Sequence, residues 1–152
     1  MTHTSFYNSP IGSIALTSDG TALTGLRFLE NIEHIENLDN IENINAARRW
    51  LNLYFSGQAP DFLPPLNLKG TPFQCRVWQA LMEIPYGQTT TYGELARHIG
   101  CRSAQAVGQA VGRNPVAIIV PCHRVVGSDG SLVGYEWGLE KKQYLLHLEQ
   151  AY

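Results

Sequence analysis

The spacing of apolar and polar positions changes several times along the chain. Between residues 5 and 28 it is the spacing of strands. Ser13-Ile14-Ala15-Leu16 begins one run and Leu23 to Phe28 makes the return. Asp19-Gly20 between them favours a tight reversal. Phe6-Tyr7 lead into Ser9-Pro10-Ile11-Gly12, a turn by composition. The expected product is a small antiparallel sheet. Residues 29 to 45 then place apolar residues at every third position in a biased, acidic background, from Asn31-Ile32-Glu33 to Ile41-Glu42-Asn43-Ile44. This stretch predicts a variable, solvated connection rather than an interaction surface. From Ala46 the period becomes helical, with Trp50, Leu51, Leu53, Tyr54 and Phe55 on a broad apolar face. Gly57 is a plausible stop, and Pro60 to Pro65 predicts a loop.

A domain boundary is expected near Leu68-Lys69-Gly70, because the pattern beyond Pro72 is helix-rich. Phe73, Val77, Leu81 and Ile84 fall near helical spacing with Trp78 alongside, and Pro85-Tyr86-Gly87 ends the helix. Thr89, Thr90 and Thr91 are N-cap candidates for a helix from Tyr92 to Ile99, which Gly100 closes. Ser103 is placed to cap a second helix running to Gly112. Two short helices joined by three or four residues fit the helix-turn-helix plan, and also a plain helical hairpin, which is the commoner arrangement. The run Ile118 to Gly127 predicts a short interior strand or a tightly held extended segment. Gly127-Ser128-Asp129-Gly130-Ser131 then makes a turn, and Gly134 to Gly138 a second loop. A closing helix is expected from Glu140 to Glu149, with Leu139, Tyr144, Leu145 and Leu148 facing inward.

Composition narrows the class. The 152 residues, 44% hydrophobic and 16% charged, suit an ordinary globular protein. No apolar run approaches the roughly 18 residues of a membrane span. Met1-Thr2-His3-Thr4-Ser5 does not resemble a secretory signal. Three cysteines, Cys75, Cys101 and Cys122, without framework spacing fit a reducing cytosol, so a cytoplasmic location is expected. The net charge of −2 divides unevenly: residues 1–70 carry four basic and seven acidic side chains, residues 71–152 seven and six. Nothing here is a strong basic patch, so contact with nucleic acid would have to draw on backbone amides and helix N-termini as well as charge.

The chemistry is concentrated in Val120-Pro121-Cys122-His123-Arg124. Pro121 fixes its own φ and pushes Val120 toward extended geometry, so Cys122 sits on a stiff backbone. A thiolate is a strong nucleophile, and a neighbouring imidazole can take the thiol proton. A buried inert thiol is the competing interpretation. Imidazole and guanidinium inside an apolar run need partners, which weakens that interpretation, but the local motif alone leaves both open.

Pro121-Cys122-His123-Arg124-Val125 resembles the active-site signature of the O6-alkylguanine-DNA alkyltransferases. Gly70-Thr71-Pro72-Phe73-Gln74, Val77-Trp78, Ile84-Pro85-Tyr86-Gly87, Thr91 to Ala96, Ala106-Val107-Gly108, Asn114-Pro115 and Gly138-Leu139 resemble the same family in order and spacing. The resemblance is strong over residues 70–150 and weak over the first 30. It implies an α+β fold: a small N-terminal ribonuclease-H-like antiparallel sheet domain over residues 1–69, and a C-terminal winged helix-turn-helix domain over residues 70–152 for DNA binding and alkyl transfer.

The resemblance further implies that Cys122 accepts the alkyl group and that His123 takes the thiol proton through a bridging water. Glu149 orients the imidazole, Tyr92 hydrogen-bonds the departing base, and Asn114 is a hinge amide. Arg124 is expected to be an ion-pair partner. Thr91, Gln105, Ala106, Gly108 and Arg113 are implied DNA contacts; Val133, Gly134, Tyr135 and Trp137 are implied pocket residues. Family branches carry Gly or Trp at the Trp137 position, where a bulky ring either restricts large O6 substituents or stacks on them. The implied partner is double-stranded DNA containing O6-alkylguanine, bound from the minor groove with the base flipped out, and O4-alkylthymine is a second expected lesion. The chain is expected to act once, as a monomer, with cooperative binding on DNA left open. It is expected to use no cofactor and no metal, since it lacks the thiols of the N-terminal zinc site found in some relatives. One position departs from the family: Gln105 stands where an arginine is usual and brings no charge to the gap left by a flipped base. A binder of damaged DNA without transfer, a winged-helix regulator with an inert thiol and a thiol hydrolase are the alternatives. The presence of Cys122 argues against the first.

Overall fold

The computed structural model describes residues 2–29 and 41–151. Most of the acidic connection between sheet and first helix therefore lies outside the described residues. The chain divides into two compact units, Met1–Lys69 and Gly70–Tyr152.

In the first unit, strands β1 (His3–Ser9), β2 (Gly12–Ser18) and β3 (Leu23–Phe28) form an antiparallel sheet in that order. Phe6 pairs with Ala15 and Leu16 with Leu26. The predicted reversal at Asp19-Gly20 is present, and Asp19 Oδ1 accepts from the amides of Thr21 and Ala22, both at 2.9 Å. The segment after Pro60 docks along the start of β3: Leu23 N–H donates to Pro65 O at 2.7 Å and Asn67 N–H to Leu23 O at 2.9 Å. Helix α1 (Glu42–Phe55) packs on the sheet. It begins four residues before the expected Ala46. Its N-cap position, Ile41, supplies no side-chain hydrogen bond. Ile44 explains the extension, since it is fully buried. Burying such a side chain is worth about 1.5–3 kcal/mol, more than the ~1 kcal/mol of a good cap.

In the second unit, helix α2 (Pro72–Leu81) starts in a capping box: Thr71 Oγ1 accepts from Gln74 N–H at 3.1 Å, and Gln74 Oε1 accepts from Thr71 N–H at 3.0 Å. Helix α3 (Tyr92–His98) is capped by Thr91 and helix α4 (Ala104–Gly112) by Ser103, as predicted. The connection between them is one or two residues longer than expected. Trp78, buried, donates Nε1–H to Ala110 O at 2.8 Å and so locks α2 to α4. Gly70 is obligatory beside it, because a Cβ there would lie 2.5 Å from the indole. Strands β4 (Thr90–Thr91) and β5 (Val125–Val126) pair in parallel, and the turn from Gly127 to Ser131 follows as the wing. Helix α5 (Leu139–Leu148) closes the unit.

Two expectations are corrected. The stretch around Cys122 is not a strand; only Val125–Val126 is extended and paired, and Cys122–Arg124 form a 3-10 turn. The chain turns because Ile118, fully buried, adopts φ 70°. A β-branched residue there is strained by an amount on the order of 1–3 kcal/mol, so surrounding contacts must impose it. The inward face of α5 is Lys142, Leu145 and Leu146, while Leu139 and Tyr144 are exposed and Leu148 is half-buried.

Candidate active site

The site is built from the reactive turn outward. Asn114 follows α4 and staples the strained segment: its Nδ2 donates to Val120 O at 2.7 Å, and its Oδ1 accepts from Val116 N–H at 3.0 Å. Pro121, at φ −83° and ψ 63°, is the centre of an inverse γ-turn. That turn is closed by Cys122 N–H donating to Val120 O at 2.8 Å. One carbonyl thus receives both the hinge amide and the cysteine amide, which fixes the backbone from which Sγ projects.

Cys122 lines a cavity of about 320 Å³ with Tyr92, Gly108, Asn114, Tyr135 and Trp137. Burial pushes its thiol up to about 11; the Asn114 side chain and the Lys142 ammonium oppose this, and Glu136 adds to it. Burial thus holds the resting sulfur in its thiol form at neutral pH.

His123 does not line the cavity. It is fully buried, and its Nε2 lies 2.6 Å from Glu149 Oε2. The same carboxylate accepts Arg124 Nε–H at 2.8 Å and Gly87 N–H at 3.0 Å on Oε1. Arg124 is held further by Ile84 O at 2.8 Å and by the Tyr86 ring, 5.7 Å away. Burial raises the Glu149 pKa, but the His123 and Arg124 contacts outweigh it and hold the carboxyl at about 2. For His123, burial prevails over the Glu149 contact and its pKa falls. The pair is therefore neutral imidazole with carboxylate. A carboxylate cannot donate, so Nε2 carries the hydrogen and Nδ1 is the basic nitrogen.

Tyr92 lines the cavity, and Lys142, fully buried, holds the loop behind it. Tyr92 Oη donates to Val133 O at 3.2 Å and Gly134 O at 3.5 Å. Lys142 Nζ reaches Val125 O at 2.6 Å, Val133 O at 2.8 Å and Gly134 O at 3.2 Å. Burial lowers this ammonium to about 8, against the pull of the Cys122 charge. Gly134, at φ 61°, lets the loop pass close to Tyr92: a Cβ there would sit 3.4 Å from the phenol oxygen.

Comparison with known proteins places this geometry. Residues 72–151 match the family described as 6-O-methylguanine DNA methyltransferase, DNA binding domain, and residues 2–68 match the ribonuclease-like domain of the same proteins. The chain belongs to the 6-O-methylguanine DNA methyltransferase family. It is 46% identical to a methylated-DNA--protein-cysteine methyltransferase of Mycobacterium tuberculosis, covering 99% of this chain and 94% of the relative. It is 51% identical to one of Methanosarcina barkeri, covering 93% of each. A crystal structure of Mycobacterium tuberculosis OGT in complex with DNA superposes with a TM-score of 0.88 at 47% identity, covering 98% of this chain and 93% of that one.

Within this methyltransferase family member, the expected site residues separate into three groups. Cys122, Tyr92, Asn114, Gly108, Gly134, Tyr135 and Trp137 meet at the cavity. His123 and Glu149 pair in the interior beside it. Thr91, Gln105, Ala106 and Arg113 lie elsewhere: Thr91 caps α3, Gln105 is exposed on α4, and Ala106 and Arg113 line a separate groove with Thr71 and Gln109. Val133 departs from its expected role, because its side chain is 42% exposed and outside the cavity lining; it serves through its carbonyl. Val111, Gly112, Glu136 and Lys142 were not singled out by sequence. Lys142 had a signal: it precedes Leu145 by three residues and Leu146 by four, a spacing that places it on their face of a helix. Among the described residues no cluster of His, Cys, Asp or Glu is placed to hold a metal, and no helix is long and apolar enough to cross a membrane.

Proposed function

We propose that this chain repairs double-stranded DNA by moving an alkyl group from guanine O6 onto Cys122 Sγ, irreversibly and once per molecule. The observation that carries this reading is a buried thiol lining a cavity large enough for a base, followed in the chain by a His–Glu–Arg cluster. The Cys122 proton passes to His123 Nδ1 through a bridging water, and Glu149 stabilises the imidazolium. The sulfur attacks the alkyl carbon, the carbon–O6 bond breaks, and Tyr92 supplies a hydrogen bond or proton to the departing guanine. O4-alkylthymine is a second lesion of the same chemical type. The target atom reaches the sulfur only if its nucleotide leaves the stack, at a cost of roughly a few kcal/mol.

The proposed DNA face is α4, presented to the minor groove, with Gln105 near its start filling the gap left by the flipped base, Thr91, Ala106 and Gly108 as further contacts, and Arg113 at its C-terminal end. The Mycobacterium tuberculosis relative was crystallised in complex with DNA, which supports DNA as the partner. The protein acts as a monomer in the cytoplasm. Because Gln105 is neutral, Gln105→Arg is expected to tighten binding and to steepen the dependence of log affinity on log salt by about 0.9 for one added phosphate contact. Fluorescence anisotropy at several salt concentrations measures this; an unchanged slope contradicts it. Transfer itself is tested by counting lesions. With excess duplex carrying one O6-methylguanine each, the lesions lost should equal the protein added. Losses that exceed the protein present, or none at all, contradict the proposal.

A further inference from the structure

The polar hydrogens around the cavity are nearly all committed. The Tyr92 hydroxyl is bonded to the Val133 and Gly134 carbonyls. Lys142 has three ammonium hydrogens and three carbonyl acceptors. Asn114 Nδ2 is held by Val120 O, and His123 Nε2 by Glu149. Tyr135 differs. Its ring is half-buried in the cavity wall, its hydroxyl oxygen is shut off from solvent, and that oxygen has no protein hydrogen-bond partner among the described residues. A buried hydroxyl without a partner lowers stability, so a fold that retains one needs a reason.

We propose that the Tyr135 hydroxyl is a catalytic donor, hydrogen-bonding Cys122 Sγ once the thiol proton has left. The proposal rests on Cys122 being the acceptor. It supplies what the resting pocket lacks: the thiol is poorly ionised because it is buried, and Glu136 opposes ionisation further. Burial and the charge of Cys122 both keep the Tyr135 phenol protonated, so it remains a donor when the sulfur becomes negative. No covalent bond to Tyr135 forms; the proton that leaves the sulfur goes to His123.

Tyr135→Phe removes one oxygen and keeps the ring, and separates this role from packing. Losing a donor that lowers the thiol pKa by one unit cuts the thiolate population tenfold. The more basic sulfur recovers about threefold in intrinsic reactivity, so the net loss is about threefold. Y135F is therefore expected to slow iodoacetamide modification of Cys122, followed by peptide mass, about threefold at each pH from 7 to 9. Methyl transfer from DNA should slow similarly. The melting temperature should rise, because an unpartnered buried hydroxyl has gone. Three results overturn the proposal. An unchanged iodoacetamide rate with slower transfer means the hydroxyl serves the base. Unchanged rates in both assays mean it serves nothing in the reaction. A lower melting temperature, or failure to fold, means it is already satisfied in the resting protein. If instead wild-type Cys122 takes no methyl from DNA, the acceptor assignment fails, while the iodoacetamide comparison still reports on the hydroxyl.

Discussion

Cys122→Ala is expected to abolish methyl transfer while leaving the fold and the affinity for lesion-bearing DNA in place. The substitution deletes the sulfur without touching what positions it. The turn is held by the Asn114 amide and the Cys122 N–H, both on the Val120 carbonyl, and both survive in alanine. The lost side chain is small and 7% exposed, so the stability cost is about 1 kcal/mol. The variant should hold an O6-methylguanine duplex as tightly as wild type in an anisotropy titration, and leave every lesion intact over the time in which wild type reacts completely. Residual methylation of the variant would move the acceptor to Cys75 or Cys101. A large drop in affinity would mean that the sulfur itself supports binding.

The second large effect is expected from Glu149→Gln, and it appears in stability as well as rate. Glu149 is buried and receives hydrogen bonds from His123, Arg124 and Gly87. The amide leaves the Arg124 guanidinium, with a side chain only 9% exposed, without its anion. Breaking a buried pair in this way costs about 3–5 kcal/mol. The pH dependence carries the same signature. The carboxyl sits at about 2 in the folded protein, against an ordinary value of 4.5. Its contribution, about 3 kcal/mol, is therefore complete above pH 4.5 and lost as pH falls toward 2. Urea melts between pH 3 and 7 should show wild type losing stability on acidification and E149Q losing about 2 kcal/mol less over that range, the remainder of the carboxylate's contribution being lost below pH 3. Equal slopes would mean that the carboxylate is not charged in the interior. Transfer at neutral pH should fall on the order of 10²-fold, because His123 loses both its orientation and the anion that stabilises its protonated form.

Much of the second unit was legible because its helix boundaries are written locally. Thr71, Thr91 and Ser103 each accept from the backbone amide three residues on, and a cap requires only that spacing. The reactive turn was not legible. Val116 to Val120 reads as a strand by composition, and the left-handed Ile118 follows from burial and the Asn114 staple, which are tertiary facts. The inward face of α5 escapes the sequence pattern for a related reason. A lysine counts as solvent-facing until three backbone carbonyls converge on it, and these come from β5 and the loop at 133–134. Likewise, the spacing of His123 and Glu149, 26 positions apart, gives no reason to pair them. Resemblance to the family named the two, and the fold supplies the 2.6 Å contact. Resemblance to the family implies Tyr135 in the pocket, but the isolation of its hydroxyl is visible only in three dimensions.

The most direct measurement is the intact mass of the wild-type protein after incubation with a duplex carrying a single O6-methylguanine, followed by peptide mapping. Each chain is expected to gain the mass of one CH₂, on the peptide containing Cys122, and to gain no more however long excess DNA is present. An unmodified chain that remains bound to the lesion-bearing duplex would contradict it, as would a methyl group on any other residue.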